Sequence, residues 1–164
     1  MVSYDKKTLE RMINGTLSWD ELRVIISGNK DADRFDKILD ILQDNVAWPE
    51  KIILPLHEHL YIVLKDNHRI VKCDCGQEFG DYKINWKTKC RIRIRDTFET
   101  IEELYPKDMG CDPNWQELRE YLCPGCFSLL DVEAVPPGYP TIFNFLPDID
   151  NFYEKWLGKK APDR

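Results

Sequence analysis

The sequence predicts an α+β fold in which a small antiparallel β-sheet with a four-cysteine site is flanked by N-terminal helices and a C-terminal helix. Three observations predict it: apolar residues at helical spacing before residue 48, short β-branched runs over 51–73, and two closely spaced cysteine pairs. We therefore divide the chain into an N-terminal helical region (1–48), a β-rich core that holds the cysteines and includes inserted helices (49–135), and a Pro-rich link with a C-terminal helix (136–164).

The composition is that of a folded protein. With 164 residues, of which 43% are hydrophobic and 12% aromatic, the chain can bury a sizeable core. It shows no signal-peptide pattern and no run of eighteen apolar residues, so we expect a cytoplasmic protein. In that reducing compartment, closely spaced cysteines are more often metal ligands or redox groups than disulfide halves. The net charge of −6 argues against general nucleic-acid binding.

Two helices are predicted in the N-terminal region. Ser18 and Glu21 stand at the spacing of a capping box and start a helix that ends near Gly28. In the next helix, apolar residues recur at offsets of three and four, so they form one stripe that faces apolar surface. Pro49 ends the pattern. The stripe consists of Phe35, Ile38, Leu39, Leu42 and Val46.

Strand patterns begin at Lys51. The turn-prone segments HEH and KDNH separate three β-branched runs, which predicts an antiparallel meander leading into Cys73. The runs are KIILPL, HLYIVL and RIVKC. Further along, KTKCRIRIR alternates so regularly that it predicts a strand with basic residues on one face and Cys90, Ile92 and Ile94 on the other.

The basic face of that strand is a candidate partner-binding surface. It consists of Lys87, Lys89, Arg91, Arg93 and Arg95. Because the whole chain is acidic, such a local basic row could bind an acidic partner or a phosphate-bearing ligand. The alternative is a solvated edge strand whose charges prevent aggregation.

Three further helices are predicted beyond this strand. They cover TFETIEELY, PNWQELREYL and, after the Pro-rich link, DIDNFYEKWL. Asp112 would cap the second and Pro113 would occupy its first position, because proline suits the first turn of a helix. Gly158 ends the third.

Two local patterns bring the cysteines of each pair together. Residues i and i+2 of a strand point the same way, so Cys73 and Cys75 can approach one ion, with Gly76 allowing the chain to fold back. In the CPGC motif that spans residues 123–126, Pro124 presets the first corner of a tight turn and Gly125 permits a positive φ at the second.

The two pairs, 47 residues apart, predict a zinc-ribbon-like site made by Cys73, Cys75, Cys123 and Cys126. Zinc fits because it accepts four thiolates, and a site whose positions are all filled by protein is structural. Four unrelated buried thiols are one alternative. A thioredoxin-like redox motif is another, disfavoured because CPGC would follow a helix rather than open one. His57, His59 and His68 fall in turns and are reserve ligands, and Cys111 has no evident partner.

Several ordered motifs resemble those of the small gamma subunit of the acetone carboxylases. They are ILDILQD, EKIILPL, KCDCGQEFGDYKINWK, REYLCPGC, LLDVEA and FLPDIDNFYEKWLG, and the resemblance covers nearly the whole chain. It implies a cytoplasmic bacterial complex with larger alpha and beta subunits that carboxylates a ketone with bicarbonate and ATP. For acetone, the products would be acetoacetate, AMP and phosphate.

The resemblance also implies where the cofactors lie. The family's zinc site falls on Cys73, Cys75, Cys123 and Cys126, while its manganese (Mn²⁺) and its ATP chemistry belong to the larger subunits. The absence of a GxxxxGK[ST] phosphate loop from this chain agrees with that assignment. Acetophenone carboxylases use a similar subunit, so the ketone is not determined by this chain. The alternative function is a free-standing zinc-ribbon adaptor that binds nucleic acid or an acidic partner through the basic strand.

Overall fold

Three helices begin the computed structural model of the chain, which describes residues 3–162. They are α1 (Lys6–Ile13), α2 (Trp19–Ser27) and α3 (Arg34–Asp44). The predicted capping box is confirmed: the amide of Glu21 donates to the Ser18 hydroxyl, and the amide of Ser18 donates to the Glu21 carboxylate. Within the described residues, no helix is long and apolar enough to cross a membrane.

The predicted three-run meander is confirmed, and a fourth strand that was not predicted extends it to an antiparallel sheet, here called sheet A, with strand order β1-β2-β3-β4. Its strands are β1 (Lys51–His57), β2 (Leu60–Lys65), β3 (His68–Cys73) and β4 (Glu78–Asp81). Asp66 and Asn67 join β2 to β3 with φ of 48° and 61°. A two-residue turn with both φ positive matches the twist of the flanking strands, so it sets the register that ends at Cys73.

Both faces of sheet A are covered. On one face, Ile52, Tyr61 and Val63 are buried against Leu39 and Leu42 of α3. The other face contributes to the main core, whose buried members include Ile53, Leu60, Ile62, Val71, Phe79, Trp86, Leu130, Ile149 and Tyr153. This core therefore draws on segments far apart in the sequence. The division of the chain at residues 48 and 135 stays a prediction.

A second antiparallel sheet, sheet B, has strand order β5-β6-β7. Its strands are β5 (Arg91–Arg95), β6 (Glu117–Leu122) and β7 (Leu129–Val135). The short helix α4 (Phe98–Glu102) lies in the connection between β5 and β6. The predicted C-terminal helix forms as α5 (Ile149–Asn151) and continues through a π-helical turn, Phe152–Trp156. The α+β class is thus confirmed, with the strands shared between two sheets.

The helix predicted over PNWQELREYL is wrong. Its second half is β6, the central strand of sheet B, and Asp112 accepts a hydrogen bond from the amide of Asn114 within a turn. The spacing of Leu118 and Tyr121 suits a helix in the sequence. Pairing with strands on both sides overrides that local preference, because the backbone hydrogen bonds of a central strand are satisfied along its whole length.

The continuous strand predicted from Lys87 to Arg95 is also wrong. Trp86–Lys89 form a 3₁₀ turn, in which the Asn85 side chain accepts from the amide of Lys87, and the strand begins only at Arg91. This cap bends the chain, so the alternation of the sequence does not correspond to two faces of one strand. Ile92 and Ile94, predicted on the face opposite the basic residues, are both exposed.

Candidate metal centre

The four predicted cysteines converge at the junction of the two sheets. Cys73 ends β3 and Cys75 follows in the next turn, while Cys123 and Cys126 lie between β6 and β7. Their sulfur atoms all lie within 4.8 Å of one another, and the Cys73–Cys126 and Cys75–Cys123 sulfur pairs are 3.8 and 3.7 Å apart. Four sulfurs bound tetrahedrally at about 2.3 Å from one ion would be about 3.8 Å apart. The group therefore has the dimensions of a tetrahedral metal site.

The first cysteine turn is held by its own backbone. The amide of Cys73 donates to the carbonyl of Gln77 at 2.9 Å, and the amide of Gly76 donates to the carbonyl of Cys73 at 2.9 Å. Gly76 has a φ of 97°, as the sequence predicted for the residue that folds the chain back. These backbone hydrogen bonds present Cys73 and Cys75 on one side of the turn.

The second cysteine turn uses a different residue than predicted. The positive φ belongs to Phe127 (62°), whereas Gly125 is outside the positive-φ region, so the turn geometry expected for Gly125 is wrong. The amide of Phe127 donates to the carbonyl of Cys123 at 2.9 Å, which closes the turn. Gly125 instead allows the two cysteine turns to come close to each other. A Cβ at this position would lie 3.3 Å from the Cys75 sulfur and 3.3 Å from the Gln77 Cβ. Glycine therefore lets the two turns meet closely without displacing the Cys75 or Gln77 side chain.

Burial and hydrogen bonding set the proton affinity of the thiols. Burial raises the pKa of Cys73 and of Cys75 above the usual thiol range. For Cys126, burial alone would also raise the pKa, but hydrogen bonds from Ser128 lower it to about 7. The Cys126 sulfur lies 3.2 Å from the Ser128 hydroxyl. Four thiolates at these separations repel one another, so a cation is needed to hold them all ionised.

Neighbouring groups anchor the first cysteine turn to the helical region. The Trp48 indole donates from Nε1 to the backbone carbonyl of Asp74 at 3.0 Å, and the Asp74 carboxylate lies 2.7 Å from Nδ1 of His59. Among residues 3–162, the metal-ligating group that the structure brings together contains cysteines alone, and His57, His59 and His68 are outside it. His59 thus orients the turn next to the sulfur atoms.

The structure separates the predicted basic row into buried and exposed members. Lys87 is 1% exposed, with its Nζ 2.6 Å from both Asp131 and Glu133. Arg95 is also buried, at 3.0 Å from Glu120. The other three basic side chains are exposed: Lys89, Arg91 and Arg93. The row therefore does not form one surface, and partner binding by these residues stays a prediction.

The buried Lys87 cluster was not anticipated from the sequence. Burial alone would lower the pKa of Lys87, but its bonds to Asp131 and Glu133 raise it above the usual range. The Tyr121 hydroxyl donates to the second oxygen of Glu133 at 2.6 Å, so the carboxylate is satisfied on both sides. In the sequence, Lys87 is one member of an alternating basic row, and nothing there distinguishes it from exposed neighbours.

The remaining cysteines lie outside the cluster. Cys90 packs against the main core, where burial raises the pKa of its thiol to about 12. The Cys111 sulfur lies 3.6 Å from the carbonyl of Gln116 in a loop before β6. Cys90 is thus a partly buried thiol of the core, and its raised pKa disfavours the reactive thiolate form.

Comparison with known proteins identifies related chains. Residues 46–157 match a family model described as acetone carboxylase gamma subunit. The acetone carboxylase gamma subunit of Xanthobacter autotrophicus is 42% identical over 165 aligned residues, which cover 99% of this chain and 98% of that relative. The acetophenone carboxylase beta subunit of Aromatoleum aromaticum is 32% identical over 98 residues, 57% of this chain and 74% of that relative. The matched range includes all four converging cysteines.

Proposed function

Because the chain belongs to the acetone carboxylase gamma subunit family, we propose that it is the small, zinc-binding structural subunit of a cytoplasmic, ATP-dependent ketone carboxylase. Its partners are the larger alpha and beta subunits, which hold Mn²⁺ and ATP and carry out the chemistry. The reaction joins bicarbonate to a ketone; with acetone, it gives acetoacetate, AMP and phosphate.

One observation carries the structural role. Four sulfur atoms from two distant turns lie within 4.8 Å of one another, at separations that suit four-coordinate zinc. With all four positions filled by Cys73, Cys75, Cys123 and Cys126, no position remains for water or substrate. A closed site of this kind stabilises a fold and does not activate a ligand.

Bound zinc would fasten sheet A to sheet B. Cys73 ends β3 and Cys75 lies in the turn after it, and the other two cysteines lie between β6 and β7. The free energy of zinc binding to four thiolates, on the order of 10 kcal/mol, then becomes folding free energy. In this role, the ion keeps both sheets in the relative position that a larger subunit recognises.

The alternative function, a nucleic-acid adaptor, has less support. Phosphate binding requires several free basic side chains on one surface. Two of the five predicted residues, Lys87 and Arg95, are buried in ion pairs with carboxylates. The chain as a whole carries a net charge of −6.

The test is purification of the native complex from cells, with mass spectrometry of its subunits and elemental analysis of its metals. We expect this chain to travel with two larger carboxylase subunits and to contain one zinc. Cys123→Ser should lose the zinc and the assembly, whereas the matched control Cys111→Ser should retain both. A Cys123→Ser variant that still holds a full complement of zinc would refute the ligand assignment.

A further inference from the structure

One face of sheet B carries exposed apolar side chains next to the metal centre. Leu129 pairs with Leu122, which pairs with Arg91, and Val132 pairs with Glu120. Paired residues of an antiparallel sheet share a face, so these side chains are all on the same side of sheet B. We call the exposed set Arg91, Phe127, Leu129 and Val132 the Phe127 surface. Its three apolar members are 59%, 45% and 49% exposed in chain order.

Phe127 occupies a backbone conformation that favours glycine. Its φ is 62°, and the residue in the corresponding place of the first cysteine turn is Gly76, with φ of 97°. A side chain with a Cβ is strained in this region, while glycine is not. The fold therefore tolerates strain at this turn to present an exposed aromatic ring. Strain of this kind is typical of functional positions, because folding alone would favour glycine.

Arg91 is the unpaired cation of this surface, since Arg93 on the same face is bound to Glu103 at 2.6 Å. The guanidinium of Arg91 lies over the Phe127 ring, 5.2 Å from the centroid, and within residues 3–162 it makes no ion pair with a carboxylate. Its neighbour on the same face, Glu120, is already bound by Arg95 at 3.0 Å. Arg91 is thus a preoriented, unneutralised cation beside the Phe127 ring, on the same sheet face as Leu129 and Val132. Aromatic residues and arginine are the types that contribute most to binding at protein interfaces.

We propose that the Phe127 surface is where this subunit docks on a larger carboxylase subunit, through an apolar segment of that subunit that places a carboxylate against Arg91. This inference rests on the proposed function. Charge complementarity selects a different protein rather than a second copy of this chain. A second copy would bring the same apolar residues and the same cation, and the carboxylates beside its matching face, Glu103 and Glu120, are engaged by arginines of that face.

The variant Phe127→Gly distinguishes an effect on docking from an effect on folding. Glycine relieves the backbone strain and removes the ring, so the variant subunit should be at least as heat-stable as the wild type and retain its metal. Its affinity for the larger subunits should nevertheless fall about 30-fold, the effect of losing an interface anchor. Trp115→Ala, at an exposed aromatic beyond the opposite end of β6, is the matched control and should leave the affinity unchanged.

The experiment titrates purified larger subunits with each variant and measures binding by light scattering or interferometry. Arg91→Glu and Arg91→Lys are included among the variants. Charge reversal should weaken association more than lysine does, because lysine keeps the charge and loses only the planar stacking. If Phe127→Gly associates as the wild type does, or changes only self-association, the docking inference is overturned. If the wild type itself fails to bind larger carboxylase subunits, the proposed function fails instead.

Discussion

Gly125 lies directly against the sulfur of Cys75, so that a Cβ at position 125 would be 3.3 Å from that atom. We predict that Gly125→Ala pushes the two cysteine turns apart and lowers the zinc affinity about tenfold, as changes beside a metal site commonly do. Competition with a chromophoric chelator measures this. Gly138→Ala is the control. Its Cβ would meet nothing within 4 Å, so at a φ of 77° the substitution destabilises the protein through backbone strain alone. Equal zinc affinity in both variants would contradict the prediction.

The stabilisation expected from the proposed zinc ion should depend on pH. Burial raises the pKa of Cys73 and Cys75, and zinc binds only the thiolate form. In the zinc-bound state, the thiol pKa values lie below those of the unfolded chain, about 8.5. The zinc contribution is therefore fully present above about pH 8.5 and is lost as the pH falls through the bound-state values. Thermal unfolding of zinc-loaded and zinc-free protein across this range measures it; a constant difference between the two midpoints would count against thiolate ligation.

Removal of the buried ammonium of Lys87 should be strongly destabilising. Lys87→Met leaves Asp131 and Glu133 without their shared cation, so we expect a loss of about 3–5 kcal/mol in the free energy of unfolding. Lys89→Met, at an exposed position two residues away, should change it by less than about 0.5 kcal/mol. Urea denaturation of both variants checks the contrast. Similar values for the two would show that the Lys87 cluster does not stabilise sheet B.

The C-terminal helix should depend on one buried hydrogen bond. The Tyr153 hydroxyl donates to the carbonyl of Ile53 in β1 at 2.7 Å, and burial raises the pKa of Tyr153 to about 12. Tyr153→Phe should cost about 1–2 kcal/mol, because the carbonyl loses its donor in an apolar environment. Tyr139→Phe removes an exposed hydroxyl and should be neutral. Hydrogen exchange in the helix, measured alongside unfolding, should be faster only in the first variant.

Local signals predicted those parts of the fold that neighbouring residues determine. The capping box at Ser18, the strand runs of sheet A and the glycine after Cys75 each encode their structure within a few residues. The convergence of the four cysteines was also predictable, because two cysteine pairs with metal-ligand spacing indicate one shared metal site.

Long-range contacts decided the parts that could not be predicted. The β6 sequence has helical spacing, and only its pairing with β5 and β7 makes it a strand. Lys87 is buried because Asp131 and Glu133, more than forty positions away, surround its ammonium. Phe127 holds a conformation that a sequence would assign to glycine. In each case, a short stretch of sequence does not encode the distant partner or the backbone strain that decides the structure.

The order of the cysteines along the chain also has a consequence for biosynthesis. All strands of sheet A end by Asp81, whereas Cys123 and Cys126 come much later. Because translation proceeds from the N-terminus, the meander and its first cysteine turn emerge from the ribosome before the second turn exists. The nascent chain therefore contains two of the four thiols of the candidate metal centre early in synthesis. The centre can be completed only after Cys123 and Cys126 have been made.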